Sequence, residues 1–452
     1  MLVADFRILL ALEPSWTISI NGKEFVHVAS SDIELDDSRL RFKGFLRKIV
    51  QIDALNAAAV RVRARARLRS RIDVLTFYSG EKLPSAAELR RRRILFQRSL
   101  VPALALHFGT RAIREILHSD KQHGVGGAYP RFLVGSRNAA IAVDPDESQP
   151  VVNGIMRAAV QWASVVKRRI AVVIPAGRHQ TLAVRLKAMP FLRSACDWLC
   201  WDGDVLSSMS RTGKGSQTSV SPYVRLAVDD KVGQICALAP GMLQAVPHIA
   251  GQAVSLRFRG LEVARVTEKE IRFPLGQPLQ PLLEELQRER RFGSRHPLAR
   301  AHEEAWLESN LIGQLRDVLP VREDHVYPQV PSFSADERKI IDLLTITDSG
   351  RLVVIEIKAA ADPDLPLQAL DYWLAVERHR RAGDFEANGY FKGIQVLNEP
   401  ALLVLVAPLL VFHRTLGRMI GVLPDGLPLI QIGINQSWKR KIKVLRRKGT
   451  LG

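Results

Sequence analysis

Three cysteines in a chain of 452 residues cannot frame a disulfide-held fold. Cys196 and Cys200 have no second pair and no histidine cluster beside them, which argues against a zinc site. Free thiols fit a reducing, cytoplasmic setting. No run of about eighteen apolar residues is free of charge, so no membrane span is expected. Residues 1–12 carry Asp5 and Arg7 inside a short apolar stretch, which is not the pattern of a signal peptide. Acidic residues are scarce relative to basic ones: 46 Asp and Glu stand against 65 Lys and Arg, a formal charge of +19. That excess says little about fold but favours a polyanionic partner, nucleic acid before anionic lipid. A GC-rich genome that prefers arginine would raise the charge without any ligand, so the chemistry has to come from motifs.

The chain is too long for one ordinary core and is expected to be multidomain. Residues 1–125 read as a basic region, β-rich at first and helical over 86–119, with a cluster at Arg90–Arg93. Between Val60 and Ile72 arginine takes every odd position, which on a strand makes one face wholly cationic and the other small and apolar. Such a face either tracks phosphates or is the solvated side of a sheet. Residues 126–206 read as a small α/β unit. Its strands are expected at 132–134, 139–143 and 170–174, and its helices at 150–166 and 179–188. Its order of elements matches that of the C-terminal region, so it could be a degenerate copy, yet it has no Glu-x-Lys. Residues 207–297 read as a Ser/Gly-rich linker, a β-rich segment and a boundary at 288–297, leaving 298–452 as the last domain.

That last domain holds the informative spacing. Ile340-Ile341-Asp342-Leu343-Leu344, a turn at Thr347-Asp348-Ser349-Gly350, and Arg351 to Lys358 read as a β-hairpin. Glu356 and Lys358 then share a strand face, and Asp342 lies within about one residue of opposite Glu356. Opposed carboxylates in an apolar sheet repel and are costly to bury, and a cation removes the repulsion. A helix over 300–315 places Glu304 and Glu308 on its apolar stripe, with Glu308 flanked by the more central apolar neighbours. Buried carboxylates need a partner: a metal or its water, or an arginine. The helix after Lys358 begins with Leu365-Pro366 and sets Gln368 and Tyr372 four apart on one face, where both need hydrogen-bond partners. Trp438 and the basic stretch to Lys448 could clamp a nucleic-acid backbone and stack a base.

Asp342 and Glu356-Ile357-Lys358, with an acidic helix before and Gln368 and Tyr372 after, resemble the PD-(D/E)XK nuclease superfamily, nearest to NucS-type and RecB-like endonucleases. The resemblance covers about 300–410. It departs in one place, with Ile341 where a proline often precedes the aspartate. It implies a mixed α/β, multidomain fold: a C-terminal restriction-endonuclease-like core with a central mixed sheet flanked by helices, and a β-rich N-terminal part. It also implies a divalent metal, Mg²⁺ or Mn²⁺, on Asp342, Glu356 and the Ile357 carbonyl. Lys358 would orient or deprotonate the attacking water, Glu308 or Glu304 would hold a further water or metal, and Gln368 and Tyr372 would complete the site. The function expected is metal-dependent endonucleolytic hydrolysis of DNA, in repair or defence. The alternative is a nucleic-acid-binding protein with an idle nuclease fold. The partner expected is nucleic acid, DNA first, with no membrane. A homodimer is left open, since many relatives act as dimers.

Overall fold

The computed structural model describes residues 3–20, 24–36, 39–43, 45–56, 59–65, 72–79, 86–116, 126–209, 220–249, 252–275, 278–334 and 337–449. The architecture is mixed α/β, with four sheets among these residues. It divides into two compact units, each assembled from separated stretches of chain. The first is residues 1–83, 223–319 and 435–443; the second is 84–222, 320–434 and 444–452.

The first unit carries the β-rich N-terminal part as a seven-stranded antiparallel sheet. Its opening residues Val3–Leu12 are helical rather than extended, and Phe6, Ile8, Leu9 and Leu10 enter the core. The alternation read in the sequence holds along Ala59–Arg65: Val60, Val62 and Ala64 are buried, while Arg61, Arg63 and Arg65 face out. Arg67, Arg69 and Arg71 lie outside the described residues. A second, four-stranded antiparallel sheet runs from Gln244 to Arg272, within the segment expected to be β-rich. The stretch 288–297, expected as a boundary, lies inside this unit. Arg290 is fully buried there, 4.7 Å over the Trp306 ring and donating to the Ala301 carbonyl at 2.7 Å. Burial, with the Arg259 charge nearby, lowers its pKa to about 9.

The second unit is built from two lobes with one topology. The first lobe has six strands in the spatial order Leu206–Ser208, Cys196–Trp201, Arg169–Pro175, Asn138–Ala142, Arg131–Val134 and Ile113–Ile116. The helix preceding them, Ala86–Phe108, stops well short of 119. Gly109, at φ +61°, ends it, and a strand begins at Ile113. The second lobe has the order Val444–Lys448, Leu429–Ile434, Leu402–Pro408, Leu352–Ile357, Glu337–Ile346 and Tyr327–Ser334. In each lobe the three central strands are parallel, and the flanking ones antiparallel. Central strands covered on both faces read as continuous apolar runs. Leu352–Ile357 is buried at every position, and Glu356 is the one charged residue in it.

Candidate active site

The hairpin forms where the turn chemistry puts it. Gly350 sits at φ +97°, its N–H donates to the Thr347 carbonyl at 3.0 Å, and Thr347 N–H donates to the Arg351 carbonyl at 2.8 Å. A Cβ at Gly350 would lie 2.5 Å from the Gln395 carbonyl oxygen, so this position admits glycine alone. From this turn the ladder runs Ile346↔Leu352 to Leu343↔Ile355. Continued by one residue, that register sets Asp342 opposite Glu356.

There the backbone pairing stops and the side chains take over. The Ile357 N–H donates to Asp342 Oδ2 at 2.8 Å, so the Asp342 carboxylate fills the gap where the two strands part. Glu356 is 1% exposed, and the Lys358 ammonium lies 3.2 Å from its Oε1. On its other side the strand pairs in parallel with Leu402–Pro408, and Lys358 N–H donates to the Val406 carbonyl at 3.0 Å. Backbone pairing on that side therefore fixes the direction of the Glu-x-Lys segment. The result is two carboxylates and one ammonium at the end of a central strand, where connections leave the sheet.

A divalent cation fits this donor set. Two carboxylates and the Ile357 carbonyl are hard oxygen donors, which suit Mg²⁺ or Mn²⁺ rather than zinc. Among the described residues no cluster of three or more His, Cys, Asp or Glu could hold a metal ion. A cation here would therefore complete its shell with water or substrate oxygens, as Mg²⁺ commonly does.

Helix Leu365–Ala382 follows Lys358 and packs on the Glu356 strand. Pro366 opens it, as its fixed φ allows. Gln368 and Tyr372 stand one turn apart on this helix, both half-buried. Near its start, Asp364 accepts from Arg157 Nε at 2.8 Å. Burial outweighs that arginine and raises the Asp364 pKa. About two turns on from Asp364, Asp371 takes a two-pronged bond from Arg185, at 2.8 Å on each oxygen. Sequence reading did not find Arg157, Asp364, Arg185 or Asp371. Their partners lie 207 and 186 residues apart, and nothing local marks them.

The acidic helix forms as Glu303–Ile312, shorter than expected, and belongs to the first unit. Glu304 is exposed there. Glu308 is buried as expected, and its partner is an arginine: Arg257 Nη1 donates to Glu308 Oε1 at 2.7 Å, both side chains being 6% exposed or less. Trp438 is also in the first unit, 4% exposed and edge-on to Trp306 at 6.1 Å. It is a core residue and not a platform for a base. Of the basic residues beyond it, Lys439, Arg440, Lys441 and Lys443 stay in the first unit, where Lys439 donates to the Ala299 carbonyl at 2.9 Å, while Arg446, Arg447 and Lys448 stand on Val444–Lys448, an exposed edge strand of the second lobe.

Comparison with known proteins adds little. No family model matches the chain, and no curated protein does. A solved structure described as "Structure of EndoMS-dsDNA2 complex" aligns with 43% of this chain and 90% of its own, at 10% identity and a TM-score of 0.19.

Proposed function

We propose that the second lobe is a metal-dependent phosphodiester hydrolase of the restriction-endonuclease-like kind, acting on DNA. One observation carries the reading: Asp342, Glu356 and Lys358 come together at the open end of a β-hairpin, where the strand that carries Glu356 is otherwise apolar and buried throughout. A fold that only bound nucleic acid would gain nothing from burying Glu356 opposite a second carboxylate. Asp342, Glu356 and the Ile357 carbonyl would hold the metal. Bound there, Mg²⁺ or Mn²⁺ would lower the pKa of a coordinated water and offset charge on the phosphate. Lys358 would orient that water and take its proton, a role open to lysine because its ammonium can be deprotonated beside a cation. Gln368 and Tyr372 would orient the phosphate or Lys358 from the neighbouring helix.

The net charge of +19 supports a polyanionic substrate. The chain contains no helix, among the described residues, that is long and apolar enough to cross a membrane. The test is cleavage of plasmid and of branched or single-stranded DNA with Mg²⁺ or Mn²⁺. Asp342→Ala and Lys358→Ala are each expected to lower the rate on the order of 100-fold or more. Nicking that survives both substitutions would remove the site assignment. Tight, salt-sensitive DNA binding without turnover in any metal would favour the idle, binding-only reading.

A further inference from the structure

The two lobes of the second unit can be matched residue by residue from their hydrogen bonds. The first-lobe strand Asn138–Ala142 pairs in parallel with Arg169–Pro175 up to Ala142↔Val173, and Val143 N–H then donates to the Val173 carbonyl at 3.3 Å. The Glu356 strand pairs with Leu402–Pro408 up to Ile357↔Val406, and Lys358 N–H then donates to the Val406 carbonyl at 3.0 Å. Ile141 therefore stands where Glu356 stands, and Val143 where Lys358 stands. On the antiparallel side Ile141 pairs with Arg131, which takes the place of Asp342. The helices that follow, Gln149–Val166 and Leu365–Ala382, are both 18 residues long with proline near their first turn.

Each chemical group of the second lobe is thus replaced in the first by one that cannot do its work. A carboxylate becomes an arginine, a second carboxylate becomes isoleucine, and the lysine becomes valine. Arg131 would repel a metal from that position. The fold, however, is kept, and the two lobes are fastened to each other. Residues 152–162 of the first-lobe helix are buried without a break, as expected of a helix covered on all sides. Val152, Ile155 and Met156 share one core with Leu367 and Leu370 of the second lobe. Two charged pairs join the lobes there, Arg157 with Asp364 and Arg185 with Asp371, the latter with both side chains at most 8% exposed. The helix following the Glu-x-Lys strand is therefore already covered by the chain's own other lobe.

We infer that the second unit is an internal pair with one working centre, the first lobe standing in place of a second subunit, and that on duplex DNA the protein nicks a single strand. This rests on the nuclease reading above. Each nick adds one water across one ester bond. The water oxygen bonds to phosphorus, the bond to the leaving sugar oxygen breaks, and that oxygen takes up the proton. A chain with a single centre needs a second encounter to cut the opposite strand.

The test is the product formed by the full chain on a negatively supercoiled plasmid with Mg²⁺ or Mn²⁺, sampled from the first turnovers. Sedimentation under the same conditions follows the protein's mass. Open circles accumulating to nearly all of the DNA before linear molecules appear, made by a monomer, are expected. In mixtures of wild type with Lys358→Ala, the nicking rate should fall in proportion to the wild-type fraction. Linear molecules formed alongside open circles from the start would overturn the inference, and so would a dimer at working concentration or a steeper dependence in the mixtures. Those results would leave the nuclease reading standing. Absence of any cleavage would sink that reading, and the inference with it.

Discussion

Glu308 and Glu356 are both buried carboxylates, and what meets each one separates their roles. Glu356 faces a lysine two residues along its own strand, a compact cation on a flexible stem that can move aside or lose its proton. Glu308 faces Arg257, a planar guanidinium that is itself held by a 3.2 Å bond to Ser255 Oγ. A cation can displace Lys358 from Glu356 far more easily than Arg257 from Glu308. Glu308 is thus expected to act first on stability. Glu308→Ala leaves Arg257 buried without its carboxylate, which costs roughly 3–5 kcal/mol in comparable pairs. Glu308→Leu combined with Arg257→Leu should recover most of that loss. Urea denaturation of the wild type and the two variants checks this. A Glu308→Gln protein of wild-type stability that fails to cleave DNA would return Glu308 to the catalytic set.

The outer side of the N-terminal sheet is where the charge excess becomes structure. Cross-strand pairing aligns Arg39 with Lys48 and Lys48 with Arg65, so three cations form one rung across three strands. Arg61 and Arg63 continue the row along Ala59–Arg65, all of them exposed. At the edge of the sheet, Glu34 pairs with Arg41 at 3.1 Å. This face was legible because period-2 alternation is local, as were the Asp342–Glu356 hairpin and its turn. The partners of Glu308 and Asp364 were not, because a ridge of local sequence carries no trace of a residue 51 or 207 positions away. Replacing Arg61, Arg63 and Arg65 by Gln should leave folding unchanged, since these side chains face solvent. It should weaken DNA binding and lower the slope of log affinity against log salt by about two to three, near 0.9 for each phosphate no longer neutralised. Titrations at several salt concentrations measure that slope. An unchanged slope would make this face a solvated one.

At the scale of the whole molecule, the chain passes between its two units more than once, which no composition shift announced. Residues 298–319 and 435–443 belong to the first unit, and 320–434 and 444–452 to the second. The segment that reads as one domain is therefore shared between both. Stability and activity need not respond together to solution conditions, and pH offers a way to see this. Burial lowers the pKa of His248 and His302 in the first unit and of His413 in the second, below the ordinary 6.5. Each is favoured neutral on folding, so its contribution is complete above the unfolded value and is lost as pH falls through and below it. Glu285 and Asp364 are raised by burial and act in the opposite sense, favouring the folded state as they take up protons. The three imidazoles take up protons in the unfolded chain near pH 6.5, so they predict a loss of stability on acidification from about pH 7.5 to about pH 5.5. Denaturation midpoints across that range measure it. His248→Gln with His302→Gln should flatten the dependence, because two of the three imidazoles no longer titrate, and both lie in the unit that does not hold Asp342 and Glu356. The same variant should keep the wild-type rate of DNA cleavage. A midpoint that rises on acidification would mean the carboxyls outweigh the histidines.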